Sequence, residues 1–267
     1  MLCYFQGYHD IVQVILLVLG TEAAFAAVES ISLLRIRDYM LPSLSPALKH
    51  LQLVPGILWS ADKQLAEHLV MPHANYALPA ALTLYAHEIQ EYSDIARLFD
   101  FLLAHEPVIS LYLFAAIIIS RRSSLLEIPP DEHDMLFFTL QKLPQPLDLE
   151  PLIKDATRLF RDHPPERLPG RVWQRLSTSS VLKTSRSSES PDSLRIAERY
   201  LVKQTEEVRW DERRQKALRT AFRYRRPLAS TALAVAIGAV SIWLRRSGND
   251  RVIVSFLLSV IGLARDR

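Results

Sequence analysis

The chain has 267 residues, 49% of them hydrophobic and 23% charged, which is enough for one or two domains with a hydrophobic core. This balance excludes a chain that is disordered along its whole length. A single cysteine, Cys3, excludes a framework of internal disulfides and indicates a reducing compartment.

The net charge of +3 is divided unevenly along the chain. From Asp211 onward there are twelve Lys and Arg against four Asp and Glu, a net of +8, which leaves −5 for residues 1–210. A nucleic-acid-binding domain would carry the basic surface itself, whereas a basic tail suits the anionic face of a membrane. The distribution predicts a membrane-facing tail and no nucleic-acid partner.

Apolar residues recur at helical spacing through residues 1–170. The run 11–19 follows no Lys or Arg and is shorter than the about 20 residues of a membrane span, which predicts a core helix without a secretory signal. Residues 93–105 predict an amphipathic helix with Ser93 as N-cap, and residues 107–120 predict a central helix buried on all sides. Further helices are predicted at 21–36, 60–70, 131–142 and 148–162. With only seven glycines and no hairpin signal, this pattern predicts an all-α fold.

Composition divides the chain into five regions. They are a helical domain (1–170), a serine-rich linker (171–193), a charged juxtamembrane helix (194–226), a transmembrane helix (227–244) and a short tail (245–267). The linker is predicted to be flexible because a serine-rich tract within 177–193 buries too little apolar area to offset the entropy of ordering.

The transmembrane prediction depends on the uncharged residues 227–244, which lie between two pairs of arginines. At about 1.5 Å per residue the helix would be about 27 Å long, which matches the bilayer of the endoplasmic reticulum. Basic residues are more numerous on its N-terminal side, so that side is predicted to be cytosolic. A second apolar stretch, 252–264, is too short to cross alone. A single span is preferred to a hairpin, which would bury or translocate four charged residues near its turn.

The segment Tyr4-Phe5-Gln6-Gly7 resembles the glutamine-finger motif of the TBC-domain Rab GTPase-activating proteins. Its later context agrees, because residues 97–104 and the long apolar helix after Pro107 resemble a helix pair of that family. The resemblance covers residues 2–165. It is closest to the branch that is anchored in the endoplasmic reticulum.

The resemblance also implies site residues. Gln6 matches the catalytic glutamine that orients the attacking water during GTP hydrolysis. Three implied binding residues surround it: Tyr4 matches an aromatic packing residue, Gly7 the glycine that lets the loop approach the nucleotide, and Asp10 the acid at the helix start. GTP and Mg²⁺ belong to the partner Rab-family GTPase, so the chain is expected to hold no cofactor. No histidine or cysteine spacing predicts a metal site.

The implied function is GTPase activation for a Rab of endoplasmic-reticulum-to-Golgi vesicle transport. The chain would be anchored in the endoplasmic reticulum membrane by its C-terminal helix, with the large domain facing the cytosol.

The family's second catalytic element, Ile-x-x-Asp-x-x-Arg, supplies an arginine finger and precedes the glutamine. The nearest candidate here, Ile153-Lys154-Asp155-Ala156-Thr157-Arg158, has the wrong spacing and follows Gln6. An arginine finger contributes about 10³ to 10⁵ in rate. Its absence predicts either an N-terminally truncated activator or a catalytically impaired Rab-binding or scaffold protein. A third hypothesis is an unrelated helical membrane protein in which the motif is accidental.

Overall fold

The computed structural model describes residues 1–71, 73–185 and 194–246, and the regular structure within these ranges is helical, without strands. The α-helices are α1 (Tyr8–Leu34), α2 (Ser45–Leu51), α3 (Leu53–Ala61), α4 (Lys63–His68), α5 (Leu78–Leu82), α6 (Tyr92–Ala104), α7 (Ile109–Ser120), α8 (Arg122–Leu126), α9 (His133–Gln141), α10 (Leu149–Asp162), α11 (Val172–Arg175), α12 (Val181–Thr184) and α13 (Leu194–Arg246). The same ranges contain 3₁₀-helices at Arg37–Met40, Asn75–Ala77, Pro165–Arg167 and Pro169–Arg171. The chain forms two compact units, Met1–Arg209 and Trp210–Arg267.

The core of the first unit is built around α7. Every residue from Ile109 to Ile118 is buried, which confirms the predicted central helix. Helix α7 packs chiefly against α10 and also against α3. Just after α10 ends, the carbonyl of His163 accepts a hydrogen bond from the Tyr112 hydroxyl at 2.5 Å. A helix that is apolar on every face can be stable in water only when neighbours cover all of it.

Helix α6 confirms the predicted amphipathic segment but not its N-cap. Leu98, Phe99 and Leu102 lie in the core, as their spacing predicts. The helix begins at Tyr92, and the N-cap position is held by Glu91 without a side-chain hydrogen bond. Ser93 therefore lies inside the first turn, so its predicted role as N-cap is wrong.

Helix α1 joins two predicted helices, 11–19 and 21–36, across a kink at Gly20. Gly20 has φ 72° and ψ 173°, a backbone conformation that only glycine adopts at low cost. Ile11 and Val14 are buried, whereas residues 16–23 are exposed on all sides. The prediction of a core helix is therefore correct for the first turns and wrong for residues 16–19.

The prediction of a flexible linker over residues 171–193 is wrong for residues 171–184, which are folded. This stretch contains α11 and α12, and Trp173, Val181 and Leu182 are buried in the main core. Composition alone predicted flexibility, but Ser180 hydrogen-bonds to buried polar groups elsewhere in the unit. Residues 186–193 of the predicted linker lie outside the described residues. The first compact unit extends to Arg209, past the predicted end of the helical domain at residue 170.

Helix α13 covers the predicted juxtamembrane helix and the predicted span 227–244 in one continuous element. In the first unit, Ala197, Leu201 and Val208 are buried against Leu33 and Leu41. In the second unit, Ala234–Trp243 is a short apolar segment of the helix. The side chains of 223–233 and 244–245, and residues 247–267 of the predicted tail, lie outside the described residues.

Within the described residues, α1 is the helix that is long and apolar enough to cross a membrane. Only 22% of its most apolar stretch is buried. Core helices and signal sequences share this length and composition, so α1 by itself supports no membrane assignment. Membrane insertion of residues 227–244 stays a prediction.

Candidate functional site

The segment with the glutamine motif forms a loop, residues 3–7, that leads into α1. The Cys3 N–H donates to the carbonyl of Met40 at 2.8 Å, which ties the loop to the turn after α1. Phe5 is buried and packs edge-on against Tyr8 and Tyr39, with ring centroids 5.6 and 6.4 Å apart. Because its neighbour Phe5 points into the core, Gln6 is presented to solvent. The loop thus holds an exposed amide side chain on a fixed backbone.

Gly7 is required by its own surroundings. It has φ 95° and ψ −7° and lies at the N-cap position of α1. A Cβ atom at this position would lie 2.6 Å from Cγ2 of Thr83, which is far too close. Both the left-handed backbone and the close approach of Thr83 therefore need glycine. The predicted role of Gly7 toward a bound nucleotide is a separate matter and stays a prediction.

Asp10 lies in the first turn of α1, where a carboxylate interacts favourably with the helix dipole. Its two oxygens face two imidazoles: His9 Nε2 lies 3.2 Å from Oδ1, and His87 Nδ1 donates to Oδ2 at 3.1 Å. The Tyr4 hydroxyl hydrogen-bonds to Nδ1 of His9 at 3.1 Å. These four polar side chains surround the base of the Gln6 loop.

Tyr4 is placed differently from an ordinary packing residue. Its side chain is 66% exposed and meets Tyr8 edge-on with ring centroids 6.3 Å apart. The buried aromatic residue of the motif is Phe5. Tyr4 therefore offers a hydroxyl and a ring face to solvent next to Gln6.

The sequence predicted four site residues, Tyr4, Gln6, Gly7 and Asp10, and the structure groups them within one loop and the first turn of α1. It adds Thr83 and His87 from the turn after α5, which the sequence did not connect with the motif. His87 lies in this turn. No local pattern could have joined it to Asp10, because the two residues are 77 positions apart.

Arg158 is not brought into a catalytic role by any contact in the structure. It lies on α10, where its guanidinium forms an ion pair with Asp155 at 2.9 Å. In the described ranges, no group of three or more His, Cys, Asp or Glu side chains is arranged to hold a metal ion.

A second polar cluster, the buried junction, lies inside the first unit and consists of Arg37, Asp38, His50, Ser180 and Gln204. Asp38 accepts from the Ser180 hydroxyl at 3.0 Å, from the Val181 N–H at 2.7 Å and from the Gln204 amide. Arg37 donates to Gln204 Oε1 at 2.7 Å, and its carbon Cζ lies 5.6 Å from the Tyr200 ring centre. The junction ties α13 to the turn after α1.

Asp38, His50 and Ser180 are not a catalytic triad. In a triad, the two ring nitrogens of histidine bridge the serine and the carboxylate. Here Nε2 of His50 contacts both partners, at 3.1 Å from Ser180 Oγ and 3.6 Å from Asp38 Oδ2. All three side chains are fully buried, so no substrate can reach them. Burial lowers the pKa of His50, an effect that the nearby Asp38 carboxylate opposes.

The fold and the loop define a class: an all-helical domain that presents a glutamine from a tight loop at the start of a long helix. The family model of the Rab-GTPase-TBC domain matches residues 1–126. The chain is similar to the GTPase-activating protein gyp10 of Schizosaccharomyces pombe, with 34% identity over 188 residues, 69% of this chain and 50% of the relative. It is also similar to TBC1 domain family member 20 of Bos taurus and of Homo sapiens, with 30% and 29% identity over 91% of this chain and 62% of each relative.

The chain therefore spans between half and two thirds of the length of these relatives. Residues 1–126 are thus similar to the Rab-GTPase-TBC domain, and the chain is similar to relatives that are named for GTPase activation or for a TBC1 domain.

Proposed function

We propose that the chain activates GTP hydrolysis by a Rab GTPase of endoplasmic-reticulum-to-Golgi transport, with Gln6 as the residue that orients the attacking water. The observation that carries the proposal is that Gln6 is exposed on a loop that is held on both sides of it. Before Gln6, the Cys3 N–H donates to the carbonyl of Met40, and after it Gly7 packs against Thr83. A fixed loop favours this role because a side chain that orients the attacking water is most effective when it is already in position before GTP hydrolysis. The similarity of residues 1–126 to the Rab-GTPase-TBC domain supports the choice of partner.

A second candidate function is Rab binding without acceleration of hydrolysis. It is favoured by one observation: the sequence holds no Ile-x-x-Asp-x-x-Arg element. Positive charge on the developing phosphate oxygens is the larger part of the catalytic device, so Gln6 alone would give weak stimulation.

Single-turnover GTP hydrolysis across a panel of Rab proteins, with the full chain in detergent micelles, tests both functions. Activation predicts a faster rate for at least one Rab and its loss in Gln6→Ala. Arg158→Ala is the matched control, because its ion pair lies on α10, and it should leave the rate unchanged. Binding of a GTP-loaded Rab without faster hydrolysis would support the second function, and absence of binding to any Rab would overturn both.

The membrane part of the proposal is a single span over residues 227–244 with the first unit in the cytosol. It is supported by the absence of charge in these residues and by the basic residues that flank them. Protease protection of a C-terminal tag in intact microsomes tests it. A tag that is fully accessible from outside would contradict the single span and favour a hairpin or a peripheral tail.

A further inference from the structure

The turn after α5, residues 83–87, has an unusual backbone. Leu84 and Tyr85 are consecutive residues with φ of 50° and 67°, in the left-handed region that side chains other than glycine rarely adopt. Such a conformation persists only when the surroundings impose it. Tyr85 is fully buried, and its hydroxyl donates to the carbonyl of Ser110 at 2.7 Å. The turn is therefore locked to the central helix α7.

This turn makes one contact with the glutamine loop and one with the first turn of α1. At its start, the methyl group of Thr83 fills the space beside Gly7, and the Thr83 hydroxyl donates to the carbonyl of Pro79 at 3.0 Å. At its end, His87 Nδ1 donates to Asp10 Oδ2 at 3.1 Å. The two contacts lie on residues that closely follow Gln6, at the start of α1.

The contact with His87 completes a chain of polar groups around the loop. The side chain of His87 is 68% exposed and that of Asp10 only 17%, so the imidazole lies on the solvent side of the carboxylate and shields it from water. His9 contacts the other oxygen of the Asp10 carboxylate and is itself hydrogen-bonded to the Tyr4 hydroxyl. The loop between Tyr4 and Asp10 is thereby linked at both ends to one network.

We propose that His87 is a positioning residue, which acts through Asp10 to hold the loop in the conformation that presents Gln6. This role goes beyond the proposed function, because it belongs to a residue outside the motif, and the rate measurements below rest on that function. A direct measurement of the loop makes the role testable without the rate.

The direct measurement is hydrogen exchange of the full chain in detergent micelles. The Tyr8 N–H donates to Phe5 and the Asp10 N–H to Gly7 in the folded loop, at 3.2 and 3.1 Å. His87→Ala should increase exchange at these amides severalfold and leave exchange in α7 unchanged. His87→Asn, which keeps an N–H donor near the position of Nδ1, should restore part of the protection. His133→Ala, an exposed histidine on α9, is the matched control and should change neither.

The rate measurement uses the Rab that the full chain activates. His87→Ala should lower kcat for stimulated hydrolysis by about tenfold, because a small displacement of a positioned group is costly, while KM for the Rab stays unchanged. In the Gln6→Ala background, His87→Ala should cause no further loss, which a general destabilisation would not explain.

Unchanged exchange at Tyr8 and Asp10 in His87→Ala overturns the positioning role, whether or not the chain activates a Rab. Faster exchange in a chain that activates no Rab supports the positioning role and overturns the proposed function. An unchanged kcat despite faster exchange, or a further loss in the Gln6→Ala background, shows that the loop conformation does not control Gln6 and also overturns the inference.

Discussion

The buried junction and the glutamine loop both depend on an aspartate held by several donors, but in opposite environments. Asp38 is fully buried and accepts from three partners, whereas Asp10 lies at the surface between two exposed histidines. Buried charges must be paired because desolvation is costly, while exposed pairs contribute little to stability. The comparison indicates that the junction holds the fold together and that the polar contacts of Asp10 can vary at low cost to the fold.

The largest expected effect is at the junction. Asp38→Ala leaves the Ser180 hydroxyl, the Val181 N–H and the Gln204 amide without their buried acceptor. It also removes the negative charge beside the Arg37 guanidinium, so we expect the free energy of unfolding to fall by about 3–5 kcal/mol. Asp10→Ala is the matched change at the surface and should cost less than about 1 kcal/mol. Chemical denaturation of both variants measures the difference. Equal losses would remove the distinction between the two regions.

Gly7→Ala tests the part of the loop that does bear on stability. The left-handed backbone and the overlap with Thr83 should together cost about 2–3 kcal/mol. Gly20→Ala is the control, because Gly20 also has a positive φ but a Cβ added there would meet no atom within 4 Å. It should cost about 1–3 kcal/mol, from the backbone alone, because its φ of 72° and ψ of 173° lie in a region that is almost exclusive to glycine. A Gly7→Ala loss of no more than about 1 kcal/mol, which the left-handed backbone alone would explain, would contradict the close packing against Thr83.

The pH dependence of stability sharpens the comparison further. Because burial lowers the pKa of His50 below its ordinary value of 6.5, the folded state favours the neutral ring and the unfolded state takes up the proton first. The stabilising contribution is present above pH 6.5 and is lost as the pH falls toward the lowered pKa. Between about pH 7.5 and about pH 5.5 we expect a loss of about 1 kcal/mol from this group.

Urea denaturation at the two pH values measures this loss, with His50→Gln as the control that removes the titrating group. The variant should show a flatter dependence on pH. An unchanged slope would assign the pH effect to other groups.

The smallest expected effect is at Tyr4. Tyr4→Phe removes the hydroxyl that hydrogen-bonds to His9, in a side chain that is mostly exposed. The change in the free energy of unfolding should stay within about 0.5 kcal/mol. A thermal melt of the variant checks this, and a large drop in Tm would show that the surface network supports the fold.

Several elements of the fold could be predicted from the sequence because their signals are local. Helix α7 is apolar along its whole length, and α6 repeats its apolar residues at helical spacing. The burial of each helix can therefore be predicted from its own residues. The linker could not be predicted correctly. Ser180 looks like a residue of a flexible tract, and only the folded chain brings Asp38 and His50 within reach of its hydroxyl.

The candidate site also contains residues that the sequence could identify and residues that only the structure revealed. Gln6 and Gly7 belong to a short contiguous motif, so resemblance alone could single them out. Thr83 and His87 reach the loop because a buried Tyr85 fixes an improbable turn, and the sequence carries no local sign of that contact.

The sequence by itself determined the all-helical fold, the buried central helix and the glutamine motif, because periodicity and short motifs are properties of neighbouring residues. The tertiary structure decided which polar groups are buried together and which surround Gln6. The long-range pairings among them, such as Asp10 with His87 and Arg37 with Gln204, join residues 77 and 167 positions apart. Their strength depends on how much water the surrounding packing excludes, which only the folded chain determines.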